Sequence, residues 1–323
     1  MTDVRTQHIN GPMAWTADSA PADDGIVRLS AICLSEVSSV AAALATDARP
    51  IEALAPDEFP MTACRALMTS VRRELSEGVG VVVIDRLPVD ELGPSVAAKI
   101  YWLLLSMAGR PVAQKWNGQV IYDVTDTGLT EEAGNGVRSS KTNQGQYYHT
   151  DNSFNLPPEF VSLCCLKTAK AGGVSGLVSF QAAYNCLLED APELIGRFYR
   201  PFYFDRQMEH APDDERLSFK PVMVAGAGGV DVNFSRRLIE YGYKLAGEPM
   251  DNEARAALEA LTSIIERPEL NREFAFQPGQ IQILNNRRIG HRRTAFEDWP
   301  EPERKRHLVR LWLRDSGGPG YVG

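Results

Sequence analysis

The chain lacks the usual marks of a secreted or membrane-spanning protein. Its 323 residues include only five cysteines, an odd number without a C-x-x-C pair, which indicates reduced thiols in a cytoplasm rather than a disulfide framework. No run of about twenty apolar residues is present to span a bilayer. The N-terminal stretch also lacks the basic start and apolar core of a signal peptide. We therefore expect a cytoplasmic protein without a membrane partner.

Basic charge is also in short supply. The chain has 34 Lys plus Arg against 42 Asp plus Glu, which gives a net charge of -8 and a pI near 5.3. This balance argues against a general binder of nucleic acids or anionic membranes. The expected partner is a small-molecule substrate, and the sequence leaves homo-oligomer formation open.

Histidine is scarce as well, with five residues in the chain, yet one of them starts a chemically informative triplet. His149 and Asp151 are separated by one residue, and alternating Cβ directions put such a pair on one side of an extended segment. Two imidazoles and one carboxylate form the metal site of non-haem Fe(II) oxygenases. His291, far downstream, is the candidate third ligand. A His-x-Asp triplet alone has a high false-positive rate, so the prediction depends on what accompanies it.

Several segments accompany the triplet in a fixed order. They are Gly172-Gly173-Val174-Ser175, residues 277–286, His291 followed by residues 293–296, and the closing segment 306–313. This ordered set resembles the taurine dioxygenase, 2,4-D dioxygenase and clavaminate synthase group of Fe(II)/2-oxoglutarate-dependent oxygenases. The resemblance runs from roughly residue 60 to 315.

Hydrophobic periodicity predicts helices mainly before the triplet and between the triplet and His291, with strands around the candidate ligands. Helices are expected over residues 61–77, 95–107 and 250–266, and a buried strand over residues 79–84. This distribution indicates an α+β fold on a barrel-like sandwich. The resemblance implies a double-stranded β-helix (jelly roll) core decorated with helices. Residues 1–25 are polar and are expected to form a flexible N-terminal arm, and residues 26–323 a single oxygenase domain.

A long stretch rich in Thr, Gly, Asn and Ser covers residues 123–146, just before the candidate ligands. Loops of this length inside a compact domain are usually functional or disordered. Its position favours an active-site lid over plain disorder.

The closing segment carries an arginine every fourth residue. Alternation puts Arg306, Arg310 and Trp312 on one face, and Val309 and Leu311 on the other. If the arginine face turns inwards, each guanidinium needs an anion, and a dicarboxylate would supply one through bidentate pairing. The alternative is an edge strand whose arginines lie in water, and the pattern alone does not decide between the two.

The resemblance assigns roles to several of these residues. It implies that Arg306 binds the distal carboxylate of 2-oxoglutarate together with Ser175, which stands where relatives usually carry Thr. Arg310 then becomes the candidate on the substrate side, and it remains a competitor for the cosubstrate. The expected substrate contacts are Arg310, Lys115, Gln114, Asn117 and Asn143.

The function that the resemblance implies is that of a non-haem iron oxygenase. With Fe(II), 2-oxoglutarate and O2, it would couple oxidative decarboxylation of 2-oxoglutarate to hydroxylation, or a related C–H oxidation, of a small anionic or amino-acid-like metabolite. His149, Asp151 and His291 would be its metal ligands and catalytic residues. Alternatives are an oxygenase that acts on a protein or carrier-linked substrate, a metal-free jelly-roll binding module, and a zinc hydrolase with the same three ligands.

Overall fold

The structure, a computed structural model, describes residues 4–19 and 25–321. Helices and strands are mixed along this part of the chain. Its α-helices are α1 (Ala31–Leu44), α2 (Thr62–Glu77), α3 (Val89–Ala108), α4 (Phe180–Asp190), α5 (Pro192–Phe198), α6 (Arg236–Ala246) and α7 (Asn252–Ile265). Short 3₁₀ helices cover Ile51–Ala53, Pro56–Glu58, Ser139–Lys141, Pro268–Leu270 and Pro302–Arg304.

The strands of the same residues are mostly short. They are β1 (Ile26–Arg28), β2 (Val81–Asp85), β3 (Pro111–Val112), β4 (Tyr122–Val124), β5 (Gln146–His149), β6 (Phe160–Lys167), β7 (Ala171–Gly172), β8 (Ser175–Ser179), β9 (Pro201–Asp205), β10 (Leu217–Pro221), β11 (Met223–Gly226), β12 (Gly229–Val232), β13 (Asn271–Phe274), β14 (Ile281–Asn285), β15 (Ile289–Arg293), β16 (Phe296–Glu297) and β17 (His307–Leu313).

Two sheets carry the site. The larger has the order β1-β2-β14-β6-β17-β3, with β4 also paired to β17; β1 and β2 run parallel and the other pairs antiparallel. The smaller has the order β13-β8-β15-β5 and is antiparallel throughout. From β4 to β6 and again from β13 to β17, the chain passes back and forth between the two sheets. The expected α+β class is confirmed.

The closing strand β17 separates an apolar layer from a charged interior. Val309, Leu311 and Leu313 are buried in one hydrophobic cluster with residues of α1, α2 and α3. On the opposite face, Arg310 is 7% exposed, and Arg306, just before the strand, is 5% exposed. The alternative of an edge strand with arginines in water is therefore excluded.

The N-terminal residues pack against the body of the protein. Ile9, Met13 and Trp15 are buried within its largest hydrophobic cluster. The backbone N–H of Ile9 donates to Asn185 Oδ1 at 2.7 Å, and Trp15 Nε1 donates to the carbonyl of Val79 at 2.9 Å. The sequence predicted a flexible arm, whereas a few irregularly spaced apolar side chains of residues 4–19 fill gaps in the core. Residues 1–3 and 20–24 lie outside the described residues.

The predicted helices and strand agree with α2, α3, α7 and β2. Within α3, the backbone is non-helical at Gly93 and Pro94 follows, so regular helix starts near the predicted residue 95. Helix α6 was not expected, although Leu238 and Gly242 and then Ile239 and Tyr243 recur four residues apart on its buried face. Within the described ranges, no helix is long and apolar enough to cross a bilayer.

Candidate metal centre

Strand pairing brings the two distant histidines together. β5 and β15 run antiparallel, and His149 lies directly opposite His291. Opposite residues of such a pair have Cβ atoms about 4.5–5.5 Å apart, and the two ring centroids are 4.3 Å apart. The register between two strands thus builds the pair, although 141 residues separate its members in the chain.

Asp151 lies in the turn after β5, and its carboxylate is held on one side. Its backbone N–H donates to Asn286 Oδ1 at 2.7 Å, and Asn286 Nδ2 donates back to the Asp151 carbonyl at 3.0 Å. Oδ2 accepts a hydrogen bond from Trp312 Nε1 at 2.7 Å and forms an ion pair with Arg310 Nη1 at 3.0 Å. These contacts leave Oδ1 facing the histidines.

The three ligand atoms converge. Asp151 Oδ1 is 3.4 Å from His149 Nε2 and 3.6 Å from His291 Nε2, and the ligand atoms all lie within 4.8 Å of one another. These separations are long for hydrogen bonds. They suit atoms that share one ion at bond lengths of about 2.0–2.2 Å. The arrangement therefore fits a divalent metal with nitrogen and oxygen ligands.

The protonation states also suit a metal. His149 Nδ1 lies 2.9 Å from the carbonyl of Tyr147, and a hydrogen bond there leaves the Nε2 lone pair free. Burial, together with the nearby His149, lowers the pKa of His291 and favours neutral imidazole. Burial tends to raise the pKa of Asp151, but attraction by Arg310 and the close approach of both histidines outweigh it and hold that pKa well below its usual range. Metal binding requires these deprotonated forms.

Two cavities lie beside this centre, and His149 and Arg310 line both of them. We call the first the inner cavity; its other lining residues include Leu163, Ser175, Phe276, His291, Arg293 and Arg306. We call the second the outer cavity; its other lining residues include Glu131, Arg138, Tyr147, Asp151, Ser235 and Arg237.

Arg306 supplies a buried cation to the inner cavity. Its backbone N–H donates to Asp298 Oδ1 at 2.7 Å, and its guanidinium carbon lies 5.1 Å from the centre of the Phe296 ring. Burial lowers the pKa of Arg306 to about 10. Its buried Nη1 has no hydrogen-bond partner among the residues that the structure describes. A carboxylate that enters this cavity would satisfy both the charge and the unused N–H groups.

A double-glycine turn leads into the same cavity. Gly172 and Gly173 have φ values of 73° and 71°, a region that glycine adopts without strain. A Cβ on Gly173 would lie 3.3 Å from Arg306 Nε, so the glycine also leaves room for that side chain. Ser175 follows at the start of β8 and is 5% exposed. The structure thus brings Ser175 and Arg306 to one cavity.

Arg310 lies between the two cavities and is held in place by Gln114. Its Nε donates to Gln114 Oε1 at 2.7 Å, and Gln114 Nε2 donates to the Arg310 carbonyl at 2.8 Å. Gln114 is fully buried and lines neither cavity. Gln114 thus contacts Arg310 and neither cavity, whereas the sequence predicted a substrate contact.

The other predicted substrate contacts lie away from the centre. Lys115 Nζ is 3.8 Å from Glu209 Oε1. Asn117 Oδ1 accepts a hydrogen bond from the backbone of Gln119 in an exposed turn, and Asn143 is exposed. Since Lys115, Asn117 and Asn143 line neither cavity, Arg310 alone of the five predicted contacts lies beside the ligands.

The charged wall of the outer cavity was not found from the sequence. Arg237 Nη1 of helix α6 pairs with Glu131 Oε2 of the predicted lid at 2.7 Å. Arg138 Nη2 donates to the Gln114 carbonyl at 2.9 Å and lies 3.0 Å from Glu209 Oε1. A lid at residues 123–146 was expected, but a loop has no period that shows which of its side chains turn inwards.

Comparison with known proteins gives a family match across this site. The family model described as "Taurine catabolism dioxygenase TauD, TfdA family" matches residues 47–312. This range contains all the side chains of the candidate centre and of both cavities described above.

Individual proteins are similar to this chain at low sequence identity. FR-33289 synthase from Streptomyces rubellomurinus is 26% identical over 262 residues, which cover 80% of this chain and 76% of that protein. The taurine hydroxylase-like protein SAT17 from Stachybotrys chartarum is 27% identical in an alignment of 324 residues, which covers 95% of this chain and 80% of that protein. The structure of asparagine oxygenase in complex with Fe(II), 2S,3S-3-hydroxyasparagine and succinate superposes with a TM-score of 0.71 at 21% identity, covering 90% of this chain and 94% of that one.

Proposed function

Because the chain belongs to the TauD/TfdA family of dioxygenases, we propose that His149, Asp151 and His291 hold its Fe(II) and that it hydroxylates a small substrate. The enzyme is an Fe(II)/2-oxoglutarate-dependent dioxygenase. The observation that carries the ligand assignment is the convergence of His149 Nε2, His291 Nε2 and Asp151 Oδ1 within 4.8 Å, at the point where the two cavities meet.

The chemistry of this reaction comes from iron, 2-oxoglutarate and dioxygen. When bound, iron would supply the activation of dioxygen, which is the oxidant: one oxygen atom enters the succinate formed from 2-oxoglutarate with loss of carbon dioxide, and the other enters a C–H bond of the substrate. The protein fixes the ligands, keeps His291 neutral and Asp151 ionised, and binds the two organic molecules in separate cavities. Iron binding is supported by the two-histidine, one-carboxylate ligand set.

We assign the inner cavity to 2-oxoglutarate, with Arg306 and Ser175 as its distal anchors. Arg306 has an unused, buried Nη1, and it lines only the inner cavity. Arg310 also has an unused nitrogen, Nη2, but its Nη1 and Nε are engaged with Asp151 and Gln114, and it also lines the outer cavity. This difference favours Arg306 as the main anchor of the cosubstrate and leaves Arg310 for the substrate.

We assign the outer cavity to a small anionic or amino-acid-like substrate. It is lined by His149 and Asp151 of the candidate metal centre, and small-molecule sites combine such a concave surface with a few placed polar or charged groups. Arg138, Arg237 and Arg310 line it, and the structural relative asparagine oxygenase was solved with a hydroxylated amino acid. These features support a charged metabolite.

We also propose that residues 26–323 form one domain with a jelly-roll core. The strands β4, β17, β6 and β14 face β5, β15, β8 and β13 in this arrangement. The alternation of the chain between the two sheets and the likeness to asparagine oxygenase over 90% of the chain support it.

The test is anaerobic addition of Fe(II) and 2-oxoglutarate, followed by visible absorption spectroscopy. A weak metal-to-ligand charge-transfer band is expected only when both are present. Asp151→Ala should lose the band, whereas the matched control Asp57→Ala, which removes a surface carboxylate, should keep it. A folded protein that shows no band with both additions would refute the iron assignment and favour the binding-module or zinc-hydrolase alternative.

A further inference from the structure

Two arginines from different parts of the chain lie against the same pair of aromatic rings. The guanidinium carbon of Arg310, in β17, is 4.8 Å from the Tyr122 ring centre and 5.1 Å from that of Trp312. The guanidinium carbon of Arg138, in the lid, is 5.6 and 5.9 Å from the same two centres. Gln114 joins them, since its side chain accepts from Arg310 and its carbonyl from Arg138. The two cations are therefore neighbours in one wall of the outer cavity.

The carboxylates near this pair do not fully balance it. Arg138 and Arg310 are 8% and 7% exposed. Arg138 pairs with Glu209 at 3.0 Å and Arg310 with Asp151 at 3.0 Å, but in the proposed function Asp151 must also offset a divalent metal. The other acid of this wall, Glu131, pairs with Arg237 and adds no free negative charge. A ligand that enters the cavity therefore meets an excess of positive charge.

Unused hydrogen-bond donors accompany this charge. Within the described part of the chain, Arg138 Nε and Arg310 Nη2 are buried without a hydrogen-bond partner. Buried donors of this kind are normally satisfied by protein, water or ligand. Because the two N–H groups belong to separate elements, a group with several anionic oxygens can accept from both at once, and each such contact is a charge-assisted hydrogen bond.

From this geometry we infer that Arg138 and Arg310 form a paired-arginine subsite that binds a dianionic group of the substrate, such as a phosphonate or a phosphate monoester. This inference rests on the proposed function in taking the bound molecule to be the substrate. Two guanidinium groups match two negative charges, whereas one arginine satisfies a carboxylate by bidentate pairing. Since Arg138 belongs to the lid and Arg310 to β17, the bound anion would also hold the lid closed beside the metal centre.

Small anions in place of the unidentified substrate test this inference. Methylphosphonate, methanesulfonate and acetate are titrated by calorimetry into the metal-free full-length protein and into the protein with Fe(II) and saturating 2-oxoglutarate. The buffer is kept above the second pKa of methylphosphonate, so that this probe is a dianion and the other two are monoanions. We expect methylphosphonate to bind more tightly than the two monoanions. We expect Arg138→Met to weaken it by about tenfold or more, the effect of losing hydrogen bonds to a charged group, and Arg138→Lys to lie between Arg138→Met and wild type.

Two matched variants separate binding from structure. Glu209→Gln removes the carboxylate partner of Arg138 and keeps the arginine, so methylphosphonate affinity should be retained if Arg138 contacts the anion. Arg306→Met removes the cation of the inner cavity and should leave methylphosphonate affinity unchanged if the anion binds in the outer cavity. The comparison of the three anions needs no variant, so it decides the charge preference even if Arg138→Met fails to fold.

Equal affinity for the three anions would overturn the dianion assignment, and wild-type affinity in Arg138→Met or Arg138→Lys would overturn the role of Arg138. Neither result touches the proposed function, which fails only if the charge-transfer band is absent. Conversely, selective methylphosphonate binding by the metal-free protein without that band would support the subsite in a protein whose iron assignment is wrong.

Discussion

The inner and outer cavities share one metal centre but are built in different ways. The inner cavity is lined from strands: Ser175 lies in β8, His291 in β15, and Arg306 next to β17. The outer cavity is lined partly from β5 and β17 and, in addition, from the lid, where Glu131 and Arg138 lie, and from helix α6. Strand ladders fix the spacing of the first set, whereas loops tolerate changes in length and sequence. The part expected to bind the common cosubstrate is therefore held mainly by strands, and the part expected to choose the substrate depends on a loop and a helix as well.

The lid is nevertheless anchored at several points. The backbone N–H of Gly134 donates to Asp205 Oδ2 at 2.9 Å, and Arg293 Nη2 donates to the Thr142 carbonyl at 3.0 Å. Arg293 lies in β15, so one end of the lid is held by the strand that carries His291. The hydrogen bond from Arg293 thus connects the lid of the outer cavity to the sheet that lines the inner cavity.

The largest effect is expected when the metal centre that the two cavities share is removed. Asp151→Ala or His149→Ala should lower succinate formation by more than about 100-fold, since even residues that only orient metal ligands change affinity or activity by about 10–100-fold. The measurement is succinate formed from 2-oxoglutarate under air with added Fe(II), with circular dichroism to confirm folding. Unchanged turnover in either folded variant would refute the ligand assignment, and Asp57→Ala serves as the control.

The next largest effect distinguishes the inner cavity from the outer cavity by their arginines. Arg306→Met should raise the dissociation constant of 2-oxoglutarate by about 30-fold or more, because truncating one partner of a buried charge pair costs about 2–5 kcal/mol. Titration of the charge-transfer band measures this constant. The matched control Arg304→Met removes an exposed arginine two residues away and should bind 2-oxoglutarate normally. If Arg310→Met loses 2-oxoglutarate and Arg306→Met retains it, the two arginines have exchanged roles.

A smaller effect is expected from the residue that positions Arg310. Gln114→Leu removes the acceptor for Arg310 Nε and should weaken methylphosphonate binding by about tenfold, the loss of one hydrogen bond to a charged group. The affinity for 2-oxoglutarate should change little. Gln119→Leu, in the exposed turn after Asn117, is the matched control. A loss confined to 2-oxoglutarate affinity would place Arg310 with the cosubstrate and contradict the division between the cavities.

The same division explains what the sequence revealed. The ligands, Ser175 and Arg306 lie on or next to strands whose two-residue period fixes the direction of each side chain, and their ordered motifs carry the family resemblance. The inward face of the segment 306–313 became certain only in the structure, because alternation defines two faces but not which one is buried.

The outer cavity was largely hidden for the opposite reason. Lys115 and Asn117 are polar and close to the lid in the chain, which predicts substrate contacts. Their backbone nevertheless carries them to the surface. Arg138 and Glu131 stand in an aperiodic segment, and their inward direction follows from contacts with Gln114, Glu209 and Arg237 that are distant in the chain. Helix α6, which supplies Arg237, was overlooked although its apolar residues recur at helical spacing.

The smallest predicted effect concerns the hydroxyl of Ser175 in the inner cavity. Ser175→Ala should weaken 2-oxoglutarate binding by about fivefold, because Arg306 still pairs with the carboxylate when the hydroxyl hydrogen bond is lost, and should leave methylphosphonate affinity unchanged. Ser175→Thr, the residue that the resemblance leads us to expect, keeps the hydroxyl and should bind 2-oxoglutarate within about threefold of wild type if the strand tolerates one methyl group. Titration of the charge-transfer band resolves both. A loss of methylphosphonate affinity in Ser175→Ala, with 2-oxoglutarate affinity unaffected, would mean that the substrate anion binds in the inner cavity. That result would contradict the assignment of separate cavities to substrate and cosubstrate.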